Sequence, residues 1–219
     1  MPRYITNYEQ RSDAWRQAKL GKFSGSDFHI MLGASQTKTD YLWGKLSERK
    51  YQDSDKEEYQ SLYMERGTIL EPEARRVYNL INDVVVQEVG LVEDDGEFDG
   101  YAVCSPDGLV GDDGIIEIKC LIAKYHEQYT NPASKKFEYI KPEYRTQVQY
   151  NLLITGRKWC DFVYYHPRAG IHIIHIERDE EYINKIREAL REGIAWIKEN
   201  IGEKNGDVSS TNDNQENRE

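Results

Sequence analysis

The chain has 219 residues, enough for one domain with one substantial core, and a net charge of −10. That charge counts against a protein that coats nucleic acid through a broadly basic surface. No apolar run is long enough for a membrane span, and the first residues lack a signal-peptide core, so we expect a cytoplasmic protein. The widely spaced Cys104, Cys120 and Cys160 indicate reduced, mostly buried thiols, too few for a four-ligand iron–sulfur cluster.

In chain order, hydrophobic periodicity and turn residues predict helices interspersed with strands. Helices are predicted as two short segments within 9–33, and over 39–50, 57–82, 143–155 and 179–200. Strands are predicted over 84–92, 101–109, 114–120, 158–166 and 171–177, with a loop and short helix over 121–142. We expect the second long helix to break near Pro72 and Asp179 to cap the last one. The fold class is α/β (α+β), a mixed sheet flanked by helices.

The segment from Phe23 to Gly33 has the pattern of a short capped helix, with Ser24 or Ser26 as its N-cap. A helix N-terminus offers free N–H groups and a positive dipole end, which suit an anion. Lys19 and Lys22 precede it and would strengthen that preference. Simple capping explains the serines equally well, so both interpretations stay open.

Asp107, Glu117 and Lys119 are the strongest chemical signal, within the run SPDGLVGDDGIIEIKC at 105–120. Strand alternation places Glu117 and Lys119 on one face, and a turn at 112–114 would bring Asp107 beside them. Two carboxylates can hold a hard divalent cation, and an adjacent ammonium can orient or help deprotonate a water that attacks a phosphodiester. A β-turn and a solvated Glu–Lys pair are the ordinary alternatives for each part. The combination favours a metal-dependent site that cleaves phosphodiesters.

Two predicted helices could complete such a site. Glu71 or Glu73 could add a carboxylate from the helix over 57–82, although surface charge is the ordinary explanation for both. Gln147 and Asn151 share one helix face at i, i+4. A glutamine there is usually solvent-facing, but Gln147 could also hydrogen-bond the scissile phosphate or the attacking water.

His166, His172 and His175 could suggest a zinc site. The odd spacing of the last two places them on opposite strand faces, and no cysteine or acid pattern accompanies them. We therefore expect structural roles for these histidines.

The chain resembles phage lambda exonuclease and the YqaJ-type viral recombinase nucleases, a branch of the PD-(D/E)xK superfamily. The resemblance runs from about Asp13 to about Trp196. Its strongest blocks are DAWRQAKLGKFSGSD, GTILEPEAR, CSPDGLVGDDGIIEIKC, TQVQYNLLIT and the region from YYHPR to IERDEEY. Five blocks in the family's order are far more specific than one motif. They imply a single nuclease domain over 1–200, and the polar composition of 201–219 predicts a disordered acidic tail.

The resemblance implies a metal centre. Asp107 and Glu117 match the family's metal-binding acids, and the backbone carbonyl of Ile118 matches a further ligand. Lys119 matches the catalytic lysine, and Glu71 matches an upstream helix acid that reaches a second ion. The implied cofactor is Mg²⁺, for which Mn²⁺ can substitute.

The resemblance also implies roles in positioning DNA. Gln147 matches the glutamine of a Q-x-Q motif, and Tyr144 matches the tyrosine just before it. Ser26 and Ser105 match serines associated with gripping a terminal 5′ phosphate. Lys19 stands where the family has an arginine, which replaces a forked donor by a point charge.

The activity implied by the resemblance is a 5′-to-3′ exonuclease on double-stranded DNA with 5′-phosphorylated ends. It would release mononucleotides and leave 3′ single-stranded overhangs for recombination by strand annealing. The implied partners are a single-strand annealing protein and two further copies in a homotrimeric ring, in a phage or prophage setting. A ring would hold DNA by enclosure, which is compatible with the negative charge. The alternatives are an endonuclease of the same superfamily, either a junction resolvase or a restriction-type enzyme, and a non-catalytic DNA-end scaffold.

Overall fold

A computed structural model describes residues 2–33, 35–52 and 62–202 of the chain. The helices in these ranges are α1 Asp13–Lys19, α2 Ser35–Tyr51, α3 Leu62–Asn82, α4 Ala123–Thr130, α5 Pro142–Thr155 and α6 Glu180–Gly202, with a 3-10 helix at Phe28–Leu32. The strands are β1 Arg3–Ile5, β2 Phe23–Ser24, β3 Leu91–Glu93, β4 Ala102–Cys104, β5 Gly108–Val110, β6 Gly114–Cys120, β7 Trp159–His166 and β8 Gly170–Glu177. The helices and strands confirm the predicted α+β class.

The strands form two four-stranded mixed sheets rather than the single sheet expected, in the orders β1-β3-β4-β2 and β5-β6-β7-β8. The predicted strand over 101–109 divides at the Pro-containing turn, so β4 and β5 belong to different sheets. The predicted strand over 84–92 is wrong for most of its length. Only β3 forms there, and Gln87 makes a single bridge to Leu109.

Strand β6 lies between two apolar clusters, as the alternation of its side chains requires. Ile115 joins the larger cluster, which includes residues of α5 and α6. Ile116 and Ile118 join a second cluster with Ala74 and Tyr78 of α3. The predicted division of β6 into a core face and a polar face is therefore confirmed, and the polar face looks toward α5.

Helix α3 continues through Pro72, so the predicted break is wrong. A proline inside a helix removes one backbone hydrogen bond and costs about 3 kcal/mol or more. Ala74 and Tyr78 follow it and are almost fully buried against β6 and β7, so this packing holds the helix together beyond the proline. The part of the predicted helix at 57–61 lies outside the described residues.

The N-terminal region contains the two predicted short helices, but the second one starts later than expected. Ser24 belongs to β2, and the 3-10 helix has Asp27 as its N-cap, with no side-chain capping bond. Neither Ser24 nor Ser26 is therefore the N-cap. The hydroxyl of Ser24 instead donates to the carboxylate of Asp27 at 3.1 Å. Tyr41 also donates to that carboxylate, at 3.0 Å, and fixes the loop against α2.

The C-terminal helices agree with expectation. Helix α5 begins at Pro142 and ends at Thr155, and the next residue, Gly156, has a φ of 69°, the left-handed conformation that glycine adopts readily. Asp179 accepts a hydrogen bond from the backbone N–H of Tyr182 at 3.0 Å and caps α6, as predicted. The predicted tail lies outside the described residues apart from its first two positions. No helix within the described ranges is long and apolar enough to cross a membrane.

All three cysteines are free thiols. Cys104 and Cys160 are fully buried, and Cys120 is partly exposed. Burial raises the pKa of each thiol, so they are neutral at physiological pH. This agrees with the predicted packing role.

Candidate active site

The hairpin formed by β5 and β6 brings Asp107 beside Glu117. The strands pair antiparallel with Gly108 opposite Ile116. The N–H of Asp107 donates to the carbonyl of Ile116 at 3.1 Å, and the N–H of Ile118 donates to Oδ2 of Asp107 at 2.6 Å. The carboxylate of Asp107 is thereby held against the backbone of β6, on the side where Glu117 projects.

Glu117 and Lys119 share the polar face of β6, where α5 meets them. The Lys119 ammonium donates to Oε1 of Glu117 at 2.6 Å and to Oε1 of Gln147 at 3.4 Å. Asn151, one turn further along α5, donates to the other oxygen of Glu117 at 3.3 Å. The ring of Tyr144 lies under the same ammonium, with its centroid 4.8 Å from Nζ. Glu117 is only 1% exposed, so these partners replace water as its surroundings.

The electrostatics of this cluster are those of crowded negative charge. Removal from solvent raises the pKa of Asp107 well above its usual range, and the charges of Glu117 and Glu71 add to the effect. Burial lowers the pKa of Lys119, but Glu117 and Asp107 outweigh it and the net pKa is raised. Lys119 is therefore a firmly held ammonium that donates hydrogen bonds, which favours an orienting role over a proton-accepting one.

Glu71 reaches the same cleft from α3 but is occupied by arginines. Its Oε2 accepts from Arg11 at 2.9 Å and its Oε1 accepts from Arg75 at 2.7 Å. Arg75 also donates to the backbone carbonyl of Asp107 at 3.1 Å. Glu71 is thus connected to Asp107 through Arg75.

The donor set fits a hard divalent cation. No three His, Cys, Asp or Glu side chains in the described part of the chain are grouped so that they could hold a metal. The carboxylates of Asp107 and Glu117 line the same cleft as Ile118, and carboxylate and carbonyl oxygens are the donors that Mg²⁺ prefers, with water completing its shell. Desolvation is the main cause of the raised pKa of Asp107, and the nearby charges of Glu117 and Glu71 raise it further, so a bound cation would offset those charges.

A second group of candidate residues lies around Trp15 of α1. The indole N–H donates to the hydroxyl of Ser105 and to the carbonyl of Gly90, both at 2.9 Å. The ammonium of Lys19 lies 3.9 Å from the centroid of the same indole. Lys19 and Ser105 are therefore placed by one tryptophan, with a positive charge and a hydroxyl on the cleft wall.

Gly25 brings the exposed Ser26 close to α5. A Cβ at Gly25 would lie 2.6 Å from Oδ1 of Asn151 and 3.3 Å from the carbonyl of Gln147. Only a residue without a side chain allows this approach. The loop that carries Ser26 is consequently in contact, through Gly25, with Asn151, which donates to Glu117.

A single large cleft of about 1660 Å³ joins both groups. The cleft is lined by Lys19, Ser26, Glu71, Ser105, Asp107, Glu117, Ile118, Lys119, Tyr144 and Gln147, whereas Glu73, the alternative to Glu71, and Lys22 do not line it. Seven basic residues line the cleft beside six acidic ones, and the basic set includes Arg11, Arg16 and Lys45. Positive charge is therefore more frequent in the cleft than in the whole chain, which carries −10.

His166, His172 and His175 do not line the cleft, and each has a contact of its own. His175 is 2.7 Å from Asp161, and His172 is 3.4 Å from Glu138. The ring of His166 packs against that of His126, with centroids 5.9 Å apart. These contacts agree with the structural roles expected from the sequence.

Sequence reasoning missed several residues that organise the site. Asn151 was noted only for its spacing from Gln147, although it is 1% exposed and bonded to Glu117. Arg11 gave no signal beyond charge, because its partner Glu71 is distant in sequence, whereas Arg75 follows Glu71 at i, i+4 inside the second family-like block. Trp15 had a usable signal, since it stands inside the first of the family-like blocks.

Comparisons of sequence place the chain among known proteins. The model of the YqaJ-like viral recombinase domain matches residues 14–158. An uncharacterized Escherichia coli K12 protein, ExoD, is 37% identical over 70 residues, which are 31% of this chain and 80% of that protein. The resemblance drawn from the five sequence blocks is confirmed by these matches.

Comparisons with solved structures agree with the family match by sequence. The crystal structure of LHK-Exo, an alkaline exonuclease from Laribacter hongkongensis, matches with a TM-score of 0.76 and 33% identity, over 87% of this chain and 94% of that chain. The structure of LHK-Exo in complex with dAMP matches over the same shares at 33% identity, with a TM-score of 0.77. A phage-related exonuclease from Haemophilus somnus 129PT has a TM-score of 0.65 at 17% identity, over 83% and 96% of the two chains, and shows a shared fold.

Proposed function

Because the chain belongs to the family of YqaJ-like viral recombinase domains, and is thereby a nuclease of recombination, we propose a specific activity for its cleft. It is a Mg²⁺-dependent 5′-to-3′ exonuclease on double-stranded DNA ends. It releases mononucleotides and leaves 3′ single-stranded overhangs for strand annealing. The observation that carries this proposal is the convergence of Asp107, Glu117 and Lys119 at the base of one cleft.

Asp107, Glu117 and the carbonyl of Ile118 would hold one ion, and Asp107 with Glu71 would hold a second. When bound, the ions supply charge that polarises the phosphate and stabilises the transition state. Glu71 is available for this role only when an oxygen is released from Arg11 or Arg75. The pair with Arg11 is the more accessible, because the Arg11 side chain is 44% exposed and that of Arg75 only 10%.

The residues of the chain itself orient the reactants. Lys119 donates a hydrogen bond toward the attacking water or the phosphate, and its contact with Glu117 keeps it charged. The side-chain oxygen of Gln147 accepts a hydrogen bond from Lys119, so its amide N–H₂ is available to donate to a phosphate oxygen or to the attacking water. Tyr144 supports Lys119 from beneath its ammonium, while Asn151 fixes the second oxygen of Glu117. This arrangement is positioning of the kind that phosphoryl transfer requires.

The 5′ phosphate would be held by Lys19, Ser26 and Ser105, which line the same cleft. A lysine binds phosphate as a point charge and lacks the forked geometry of arginine. Trp15 compensates in part, since it fixes the directions of Lys19 and Ser105 together. The complex of LHK-Exo with dAMP supports mononucleotide release, because that relative binds a mononucleotide.

Two further parts of the proposal concern assembly. A homotrimeric ring would enclose duplex DNA, so that strong affinity from a basic surface is unnecessary, and this agrees with the net charge of −10. A single-strand annealing protein would receive the 3′ overhang. Both expectations come from the family.

Digestion of labelled DNA tests the proposal. Linear duplex labelled at either the 5′ or the 3′ end is incubated with the protein and Mg²⁺, beside an EDTA control and a closed circular duplex. We expect early release of labelled mononucleotide from the 5′ end alone, with the circle intact. Cutting of the circle would instead identify an endonuclease, and binding of DNA ends without hydrolysis would identify a scaffold.

A further inference from the structure

Tyr125, Tyr129 and Tyr139 form an aromatic surface on one wall of the catalytic cleft, to which the mechanism above gives no role. Tyr125 and Tyr129 belong to α4, and Tyr139 follows in the connection to α5. The rings of Tyr125 and Tyr129 are 6.1 Å apart and nearly parallel, at 19°. The ring of Tyr139 lies 5.8 Å from that of Tyr129 and is tilted to it by 55°.

The surface has a buried base and two open rings. Tyr129 is only 5% exposed and packs on Tyr164 of β7 with ring centroids 5.4 Å apart. Tyr125 and Tyr139 are 43% and 42% exposed. Exposure of an aromatic ring to water is unfavourable, and two exposed rings beside one cleft indicate a ligand with flat apolar faces.

The backbone holds the surface in place without a ligand. The hydroxyl of Tyr164 donates to the carbonyl of Tyr139, and the N–H of Glu138 donates to the carbonyl of Tyr129 at 2.8 Å. The N–H of Tyr139 donates to the carbonyl of Lys136 at 3.1 Å. These bonds fix the backbone that carries Tyr129 and Tyr139, and stacking on Tyr129 orders the ring of Tyr125, which reduces the entropy lost when a ligand binds.

Positive charge is interleaved with the rings. The ammonium of Lys124 is 5.9 Å from the centroid of Tyr125, and Lys136 and Lys141 line the same cleft. Lys141 is 5.4 Å from the centroid of Tyr144, so the surface continues to the tyrosine beneath Lys119. Aromatic rings interleaved with lysines are the combination that proteins use to bind single-stranded nucleic acid, because every base has a flat face and every linkage a negative charge.

The acids of the same segment are already engaged. Glu127 accepts from Asn131, Glu138 lies 3.4 Å from His172, and Glu143 lies 3.6 Å from Lys141. Lys141 offsets the charge of Glu143, and Glu127 and Glu138 do not line the cleft.

We propose that Tyr125 and Tyr139 are a base-stacking platform for unpaired nucleotides of the strand that enters the cleft. The inference rests on the proposed nuclease function and extends it, because it assigns the cleft a preference for unpaired bases beside the scissile phosphate. Stacking on one aromatic ring contributes about fivefold or more to binding, from the range of about 1–3 kcal/mol per base. The platform would hold the strand by the bases while Lys119 and Gln147 act on its backbone.

The test measures binding in EDTA, where the proposed hydrolysis does not occur. The DNA is a duplex with a short unpaired 5′ end, prepared with natural bases, with abasic sites, or with 2-aminopurine at the unpaired positions. The variants are Tyr125→Leu/Tyr139→Leu, which keeps apolar volume, and Tyr125→Phe/Tyr139→Phe, which keeps the rings. Tyr51→Leu is the matched control, because Tyr51 is 66% exposed with Lys50 5.3 Å from its ring centroid and does not line the cleft.

We expect the parent to bind the natural end at least about fivefold more tightly than the abasic end, and to quench 2-aminopurine fluorescence. The double leucine variant loses both effects, whereas the double phenylalanine variant and the Tyr51 control keep them. Equal affinity of the parent for both ends, no binding, or full discrimination by the double leucine variant overturns the platform. Thermal unfolding confirms that each variant is folded. Digestion of linear duplex in Mg²⁺ is scored separately, so a failed platform with intact digestion is distinct from a failed nuclease assignment.

Discussion

Replacement of Lys119 by methionine tests the charge balance of the site directly. In the parent, the ammonium lies 2.6 Å from Oε1 of Glu117, and the two side chains are 21% and 2% exposed. Loss of one partner from a buried ion pair costs about 3–5 kcal/mol, because the other charge stays buried without compensation. Since Lys119 reaches solvent in part, we take the lower end, about 3 kcal/mol. For a chain of this size that lowers Tm by about 6–12 °C.

Mg²⁺ should reduce the penalty. A ligand that binds only the folded state at ten times its Kd stabilises it by about 1.4 kcal/mol. The carboxylates of Asp107 and Glu117 bind a cation more tightly once Lys119 no longer neutralises them. The difference in Tm between parent and variant is therefore smaller in Mg²⁺ than in EDTA.

The assay is thermal unfolding of the parent, Lys119→Met and Lys158→Met, each in EDTA and in Mg²⁺. Lys158 is the matched control, because it also pairs with an acid, Asp113, at 2.9 Å, but the two side chains are 70% and 51% exposed. Loss of that exposed pair costs less than about 1 kcal/mol. The reasoning is refuted if Lys119→Met and Lys158→Met unfold at the same temperature in EDTA, or if Mg²⁺ stabilises the parent and Lys119→Met equally.

Three further predictions concern other parts of the molecule. Gly25→Ala forces a methyl group to within 2.6 Å of Oδ1 of Asn151, so hydrolysis should fall about tenfold, in an end-labelled digestion, while the fold persists. Lys19→Ala should slow digestion of 5′-phosphorylated ends by about tenfold or more and leave hydroxyl ends less affected, with Lys19→Arg retaining the preference. The hydrogen bond that His175 donates to the carboxylate of Asp161 raises the pKa of His175, so the stability it adds is complete below about pH 6.5 and declines as pH rises through the folded pKa, which urea unfolding of parent and His175→Gln would show.

Controls for these predictions come from the chain itself. Gly44→Ala is the comparison for Gly25→Ala, because a Cβ at Gly44 meets nothing within 4 Å. Full activity of Gly25→Ala would show that the close approach to α5 is unimportant. An equal loss on both kinds of DNA end would remove Lys19 from phosphate capture. If the free energy of unfolding of the parent and of His175→Gln changed with pH in the same way, the contact with Asp161 would not be the source of that pH dependence.

The polar face of β6 was predictable because its cause is local. Alternation along GIIEIKC fixes that Glu117 and Lys119 lie on one side, and the turn residues before it fix the hairpin that carries Asp107. The cap at Asp179 was predictable for the same reason, since it depends on one side chain and the following turn. Helical spacing likewise placed Gln147 and Asn151 on one face of α5.

The remaining features depend on contacts between distant parts of the chain. Pro72 stays within α3 because Ala74 and Tyr78 pack on a sheet that is formed much later in the sequence. The division of the strands into two sheets depends on the pairing of β7 with β6, and local periodicity does not indicate that pairing. Glu71 was expected beside the metal, but its arginine partners include Arg11, 60 residues earlier. No helical or strand pattern indicates such a pair.

We propose that Asp107, Glu117 and Lys119 form one centre that hydrolyses DNA with a divalent cation. Binding of 5′-phosphorylated duplex and its hydrolysis in Mg²⁺, followed in the same samples for the parent and Glu117→Gln, test this proposal. We expect the variant to bind DNA as the parent does but to release no mononucleotide. Hydrolysis by Glu117→Gln at the parent's rate would show that the carboxylate of Glu117 has no part in catalysis.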